Sequence, residues 1–154
     1  MIDISKQLLT LTTPNNTYEY SVSTAKNGAG QREGSGKTPL GNHYVRAMIG
    51  RGAPIDSVFV GRRTTAEIYS DSLASDFPKR DWILSRILWL CGKEKGLNRL
   101  GGVDSMRRFI YIHGTPDSEP MGIPLSHGCI RMRNRDIIQL FDLIPIGTHV
   151  LIKA

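Results

Sequence analysis

Short β-like runs separated by turn-forming segments cover most of this chain. Six runs are rich in β-branched, aromatic or alternating apolar residues: KQLLTLT, TYEYSVST, HYVRAMI, SVFVG, RFIYIH and THVLI. Segments such as TPNN, KNGAGQREGSG and GTPDSEP lie between them and supply the glycine, proline and asparagine of turns. Short runs bounded in this way are typical of strands. The pattern predicts a mainly β domain built on a curved sheet or a sandwich.

One segment has the pattern of an amphipathic helix. Asn134 is a residue type favoured at the N-cap, and Pro145 and Gly147 are expected to end the helix. The apolar residues on one helical face are Ile137, Leu140, Phe141 and Ile144. The run DWILSRILWL fits a buried strand or a helix. We interpret it as a strand because the turn-rich segment KEKGLNRLGG follows closely, which leaves one or two short helices in the domain.

Length and charge limit the classes of protein that fit. A chain of 154 residues has the length of one domain, so we assign residues 1–154 to a single domain. Its net charge of +6 is compatible with nucleic acid, a membrane surface or an anionic substrate. The basic runs GRR and RMRNR contain none of the aromatic residues on which RNA bases stack. We therefore expect no nucleic-acid partner.

The apolar runs are all short. None approaches the ~18 residues of a membrane span, and the N-terminal run MIDISKQLLTLTT lacks the positive start, apolar core and cleavage site of a secretory signal. We expect no membrane partner and a cytoplasmic location. The alternative is a periplasmic protein whose leader has been removed.

The glycine-rich run GQREGSGKT looks like a phosphate-binding P-loop, but its spacing differs. Five residues separate Gly30 from Gly36, and the motif requires four. Pro39 follows Lys37-Thr38 and disfavours the helix that a P-loop opens at this point. The run is therefore interpreted as a mobile loop between two strands.

The run SHGCIRM places a thiol beside imidazoles. Cys129 follows His127 by two residues and His113 by sixteen, whereas Cys91 ends an apolar run and is expected to be buried. A thiol attacks as thiolate, and a nearby imidazole can take its proton. Gly128 permits unusual backbone angles and the approach of an acyl carbonyl to backbone N–H groups. The residues alone leave open whether His113 or His127 is the base, or whether the run is only a turn.

Zinc binding is an alternative use of the same side chains. His113, His127 and Cys129 could supply three ligands, but no second closely spaced pair of ligands is present in the sequence. The spacing therefore disfavours a zinc site.

A longer signature surrounds the thiol. His113 is followed, after a gap of thirteen residues, by His127 within the run Ser126-His127-Gly128-Cys129, and the runs KTPLG, IYIHGT and FDLIPIGTHVLI extend the match over nearly the whole chain. With these residues the sequence resembles the L,D-transpeptidase catalytic domain family, also called the YkuD family. The resemblance implies a curved mixed β-sandwich or barrel with little helix.

The resemblance also implies roles for individual residues. Cys129 is the nucleophile, His113 is the base that holds the thiolate, and Gly114 orients His113 through its backbone carbonyl. Arg131 stands where many relatives have asparagine; it is either a substrate-binding residue for the carboxylates of a stem peptide or a surface arginine. The residues that shape the pocket and the oxyanion hole are Ser126, His127 and Gly128.

The family acts on peptidoglycan stem peptides, so the implied substrate is a tetrapeptide or a muropeptide. The thiol attacks the carbonyl between diaminopimelate and D-alanine, D-alanine leaves, and a thioester forms. Attack by water then gives a tripeptide, and attack by an amine gives a crosslink. The resemblance implies that neither a metal nor an organic cofactor is required. Carbapenem-type β-lactams are expected to acylate Cys129. Because we expect a cytoplasmic protein, we expect an L,D-carboxypeptidase of muropeptide recycling; the alternative is a crosslinking L,D-transpeptidase.

Overall fold

The computed structural model describes every residue from Met1 to Ala154. Strands dominate and two short helices accompany them, which confirms the mainly β prediction. The strands are β1 (Ile2–Asp3), β2 (Leu8–Thr12), β3 (Thr17–Ser21), β4 (Gly41–Ile49), β5 (Ser57–Val60), β6 (Arg63–Ile68), β7 (Ile83–Gly92), β8 (Tyr111–Thr115), β9 (Ile130–Arg133) and β10 (His149–Lys153), and the helices are α1 (Asp71–Asp76) and α2 (Asn134–Leu143).

All ten strands belong to one mixed, curled sheet. Its order is β3-β2-β1-β10-β4-β7-β5-β6, and a branch leaves this path at β7, where β8 pairs with β7 and β9 pairs with β8. The pairs β1–β10 and β8–β9 are parallel, and the other pairs are antiparallel. Ser23, just after β3, exchanges two backbone hydrogen bonds of 2.9 Å with Arg131 of β9. This bridge brings the end of the branch back to the β3 end of the sheet.

Strand β7 is the centre of the sheet. It pairs with β4 and β5 along one edge and with β8 along the other. Leu84, Ile87, Leu88 and Leu90 are all buried, because a strand with partners on both edges and cover on both faces has no solvated side. The ambiguous run DWILSRILWL is therefore a strand, as expected.

Helix α2 closes the inside of the curl. Ile137, Leu140 and Phe141 are buried in the main core, and the helix packs against β7, β8 and β9. Asn134 is not the N-cap that the sequence predicts: Arg133 has that position, and Asn134 is the first helical residue with its side chain buried. Neither helix is long or apolar enough to cross a membrane.

Four elements carry little sequence signal and were not predicted. They are β1, β6, β9 and helix α1, which buries no residue and is capped by the Ser70 hydroxyl accepting from the Leu73 N–H at 3.1 Å. The run RFIYIH becomes a strand only from Tyr111, because Phe109 has a left-handed φ of 56° in the preceding turn.

The glycine-rich run forms a loop between β3 and β4 and opens no helix. Arg108 fastens this loop, since its guanidinium donates to the carbonyls of Gly30, Gln31 and Lys37. A parallel bridge between Ala29 and Thr38 narrows the base of the loop.

Candidate active site

Two neighbouring parallel strands bring the predicted thiol and imidazole to one face of the sheet. In the register of β8 and β9, His113 is paired with Arg131. Side chains alternate along a strand, so the face that carries His113 and Arg131 also carries Cys129, two residues before Arg131. Sixteen residues of sequence separate His113 from Cys129, and the register makes them diagonal neighbours.

Backbone groups from the turn before β8 surround the sulfur of Cys129. The Tyr111 N–H donates to Sγ at 3.3 Å, and the thiol donates to the Phe109 carbonyl at 3.3 Å. Cys129 is half-buried. These two contacts fix the direction of the thiol, and no hydrogen bond joins it to His113.

The electrostatics of the site favour neutral partners. Burial raises the pKa of the Cys129 thiol to about 11, against the opposing effect of the Tyr111 N–H. Burial also lowers the pKa of the His113 imidazole. Both shifts favour the neutral thiol and the neutral imidazole over a thiolate–imidazolium pair. The proton has to move during the attack.

Gly114 fixes the tautomer of His113. The Nδ1 atom lies 2.7 Å from the Gly114 carbonyl oxygen. A carbonyl can only accept, so Nδ1 carries the proton of the neutral ring and Nε2 keeps a free lone pair. A side chain at Gly114 would overlap the Asn134 side chain and the Leu84 carbonyl. The geometry thus gives Gly114 the orienting contact that the resemblance implies, and makes Nε2 the basic atom.

The residues before the thiol form a tight turn. The Ser126 hydroxyl donates to the Cys129 carbonyl and accepts from the Gly128 N–H at 3.2 Å. Gly128 has a φ of 136°, which favours glycine, and its carbonyl accepts from the Thr38 hydroxyl at 2.9 Å. Because the Gly128 N–H is already engaged, Gly128 shapes the turn and does not offer a free donor to an oxyanion.

His127 points away from this turn. Its side chain is 79% exposed, and Nδ1 lies 3.4 Å from Asp81. The imidazole of His127 is thus directed at Asp81, whereas His113 lies on the face of the sheet that also carries Cys129. His127 lines both of the cavities beside the site.

Arg131 is not a surface residue. It is only 7% exposed, and its guanidinium lies 3.0 Å from Asp81 and 3.7 Å from Glu119. These three residues, with His127, line a cavity of about 190 Å³ on the face that carries His113. Any carboxylate that binds to Arg131 has to compete with Asp81 and Glu119.

A second depression lies on the other side of His127. The glycine-rich loop and the turn before β8 form it, and its lining includes Gly36, Arg108, Phe109 and His127. The Phe109 carbonyl accepts from the thiol, so this depression shares Phe109 with the surroundings of the sulfur and shares His127 with the Arg131 cavity.

The structure has no metal-binding arrangement. No three side chains of the types His, Cys, Asp and Glu are grouped to hold an ion, and His127 points to Asp81 rather than to Cys129. Cys91 is buried within the sheet, where the sequence places it, and both cysteines are free thiols.

Three residues of the site were not found from the sequence. Thr38 belongs to the run that imitates a P-loop, Asp81 contacts Arg131 from fifty residues away, and Asn134 looks like a helix cap. The KTPLG match was the only sequence signal for any of them. The other two depend on contacts between distant segments.

Comparisons with known proteins identify the family of this chain. The family described as YkuD, L,D-transpeptidase catalytic domain, matches residues 1–152. A putative L,D-transpeptidase, YqjB, from Bacillus subtilis is 51% identical over 45 residues, which are 29% of this chain and 26% of that protein.

Two solved structures have the same fold. An L,D-transpeptidase from Mycobacterium smegmatis has a TM-score of 0.56 at 15% identity, over 99% of this chain and 57% of that one. L,D-transpeptidase 3 from Mycobacterium tuberculosis, in complex with a faropenem-derived adduct, has a TM-score of 0.54 at 16% identity, over 99% of this chain and 58% of that one. This chain thus spans less than two thirds of each relative. The fold is the predicted curved mixed sheet, and the chain belongs to the YkuD L,D-transpeptidase catalytic domain family.

Proposed function

We propose that this protein is a cysteine acyl-transfer enzyme that cleaves the diaminopimelate–D-alanine bond of peptidoglycan tetrapeptides and passes the acyl group to water. Membership of the family supports acyl transfer on peptidoglycan. The observation that carries the proposal is the arrangement of Cys129 and His113. Two backbone groups hydrogen-bond to the thiol of Cys129. On the same face of the sheet lies His113, whose tautomer is fixed by the Gly114 carbonyl.

The first half-reaction follows from the neutral pair. As Sγ attacks the diaminopimelate carbonyl, the thiol proton moves to Nε2 of His113 and the C–S bond forms. The imidazolium, steadied by the Gly114 carbonyl at Nδ1, then gives this proton to the departing amine. The C–N bond breaks, D-alanine leaves, and a thioester on Cys129 remains.

In the second half-reaction water replaces D-alanine. Nε2 of His113 takes a proton from water while its oxygen bonds to the thioester carbonyl, and the C–S bond breaks. The proton then returns to the sulfur, which restores the neutral thiol and releases the tripeptide. The cavity beside Arg131 supports water as the acceptor, because its lining is mostly polar and includes Asp81, Glu119 and His127.

Crosslinking is the second candidate, since relatives of this chain are described as L,D-transpeptidases. It differs only in the acceptor, which would be the amine of another stem peptide. We further propose that the hydrolytic enzyme works in the cytoplasm on soluble fragments during muropeptide recycling; cell fractionation tests this location.

A β-lactam should act as a false acyl donor. The Mycobacterium tuberculosis neighbour carries a faropenem-derived adduct, and the strained lactams of penems and carbapenems offer a similar carbonyl. We propose that a carbapenem acylates Cys129 in this chain.

The test of function is incubation of the purified protein with the free tetrapeptide, with products identified by mass spectrometry. Tripeptide and free D-alanine in equal amounts are expected. A crosslinked dimer as the main product would support the transpeptidase, and an intact tetrapeptide would refute acyl transfer on this substrate.

A further inference from the structure

Arg62 reaches from a hairpin tip to the neighbourhood of the thiol. Gly61 and Arg62 form the two-residue turn between β5 and β6, with φ values of 55° and 65°. The Arg62 guanidinium lies 4.5 Å from the ring centre of Trp89 and 5.0 Å from that of Phe109. It also donates to the Tyr111 hydroxyl at 2.9 Å. We refer to Trp89, Phe109 and Tyr111 as the aromatic cluster.

Two residues of the aromatic cluster hydrogen-bond to the nucleophile through their backbones. The Phe109 carbonyl and the Tyr111 N–H are the two groups that hydrogen-bond to Cys129 Sγ. Trp89 contacts both rings, with centroid separations of 6.3 and 6.2 Å. Phe109 is 51% exposed, so the cluster opens to solvent beside the thiol.

The guanidinium of Arg62 rests on aromatic faces and meets no carboxylate. None of the five ion pairs of the protein includes Arg62, whereas Arg80, which also stacks on two aromatic rings, pairs with Glu67 at 3.0 Å. Aromatic faces attract cations, most strongly when water is excluded. The aromatic cluster is therefore a cation site, and a side chain of the protein itself fills it.

We propose that the aromatic cluster is a binding site for a primary ammonium group and that Arg62, by filling it, keeps a second stem peptide from delivering its amine to the acyl-enzyme. This inference rests on the proposed function and deepens it. An ammonium in the place of the guanidinium would stand beside both residues that bond to the sulfur. Arg62 thus determines specificity for water.

The excluded reaction is a balanced alternative to hydrolysis. The ammonium gives one proton to water and becomes an amine, whose nitrogen attacks the thioester carbonyl. The C–N bond forms and the C–S bond breaks. Nε2 of His113 takes the second proton from nitrogen and returns it to the sulfur, leaving a crosslinked dimer and the free thiol.

The test compares product ratios in variants that keep the hairpin. Asparagine tolerates the left-handed conformation at this position, so Arg62→Asn removes the cation and preserves the turn. Arg62→Lys retains a cation, and Arg51→Ala removes an arginine that stacks 5.1 Å from Phe141, outside the site. With concentrated tetrapeptide, the ratio of dimer to tripeptide should rise about fivefold in Arg62→Asn, the scale of one cation–π contact, and stay unchanged in the other two.

A binding measurement tests the site without catalysis. Tetramethylammonium chloride should cause a saturable change in tryptophan fluorescence in Arg62→Asn, beyond that of sodium chloride at equal ionic strength, and none in the wild type. The added substitution Trp89→Phe should abolish this change.

The outcomes separate the two proposals. An unchanged product ratio in an active Arg62→Asn enzyme overturns the role of Arg62, whatever the titration shows. If no variant and no wild-type protein releases D-alanine, the proposed function fails, and the titration alone decides whether the cation site exists.

Discussion

The Thr38 hydroxyl donates a 2.9 Å hydrogen bond to the carbonyl of Gly128, the residue directly before the candidate nucleophile. The same hydroxyl accepts from the Ala25 N–H at 3.0 Å, and Thr38 is fully buried. Thr38 of the glycine-rich run therefore stabilises the turn that precedes the thiol. The run itself does not begin a helix, as a P-loop would.

Replacing this hydroxyl should weaken both the fold and the turn. Thr38→Val leaves the Gly128 carbonyl and the Ala25 N–H without their partner, at a cost of about 1–3 kcal/mol in the free energy of unfolding. D-Alanine release should fall as well, and Thr38→Ser should restore both. Denaturant titration and product assay are the measurements, with Thr12→Val, at an exposed residue of β2, as control. Wild-type activity in Thr38→Val would show that the brace does not position Cys129.

A buried polar network centred on Asn134 packs against Gly114. Asn134 donates to the Thr115 carbonyl at 2.9 Å and to Asp56 at 2.9 Å, and accepts from the Ser85 hydroxyl at 2.7 Å. The network lies against the Gly114 backbone, which in turn holds His113.

Asn134→Ala should therefore affect catalysis beyond its effect on stability. Asn98 is a matched control, because it is equally buried and donates to the Leu40 and Asn42 carbonyls away from the thiol. Both alanine variants should lose about 1–3 kcal/mol of unfolding free energy. Only Asn134→Ala should lower kcat and alter its pH profile. Equal kcat losses in the two variants would reduce Asn134 to a structural residue.

The sequence signals for fold and site differ in kind. The β-branched, aromatic or alternating apolar runs predicted β2, β3, β4, β5, β8 and β10, because the signal for each strand lies within its own residues. Helix α1 buries no residue and so has no apolar period to detect. The prediction of Asn134 as the N-cap was wrong, because capping rules use only the neighbouring sequence. The hydrogen-bond partners of its side chain belong to other segments and are Ser85, Asp56 and Thr115. The signature located Cys129 and His113, but the Asp81–Arg131 contact and the position of Arg62 depend on how the sheet curls.

The pH dependence of the thiol distinguishes a neutral pair from a preformed ion pair. Burial holds the pKa of Cys129 at about 11, so alkylation of Cys129 in a Cys91→Ala background should still be rising at pH 10. His113→Ala should leave this profile in place while D-alanine release is lost. An alkylation midpoint near or below neutral pH in the wild type would indicate a stored thiolate.

Turnover should be limited at acidic pH, whereas thiol alkylation is limited up to alkaline pH. Burial lowers the pKa of His113, and only the neutral ring accepts a proton. Activity should therefore persist through neutral pH and decline only on the acidic side of the usual histidine value of about 6.5. A decline that begins well above this value would contradict a depressed pKa.

The two cysteines allow the most direct test of the acyl-enzyme. Wild-type protein, Cys91→Ala and Cys129→Ala are each divided into two samples. One sample is treated with a carbapenem and weighed as intact protein, and the other is left untreated and assayed for D-alanine release from the tetrapeptide. We expect the first two proteins to gain the mass of one inhibitor in the treated sample and to release D-alanine in the untreated one, and Cys129→Ala to do neither. A persistent adduct or continued D-alanine release in folded Cys129→Ala would contradict the assignment of the nucleophile.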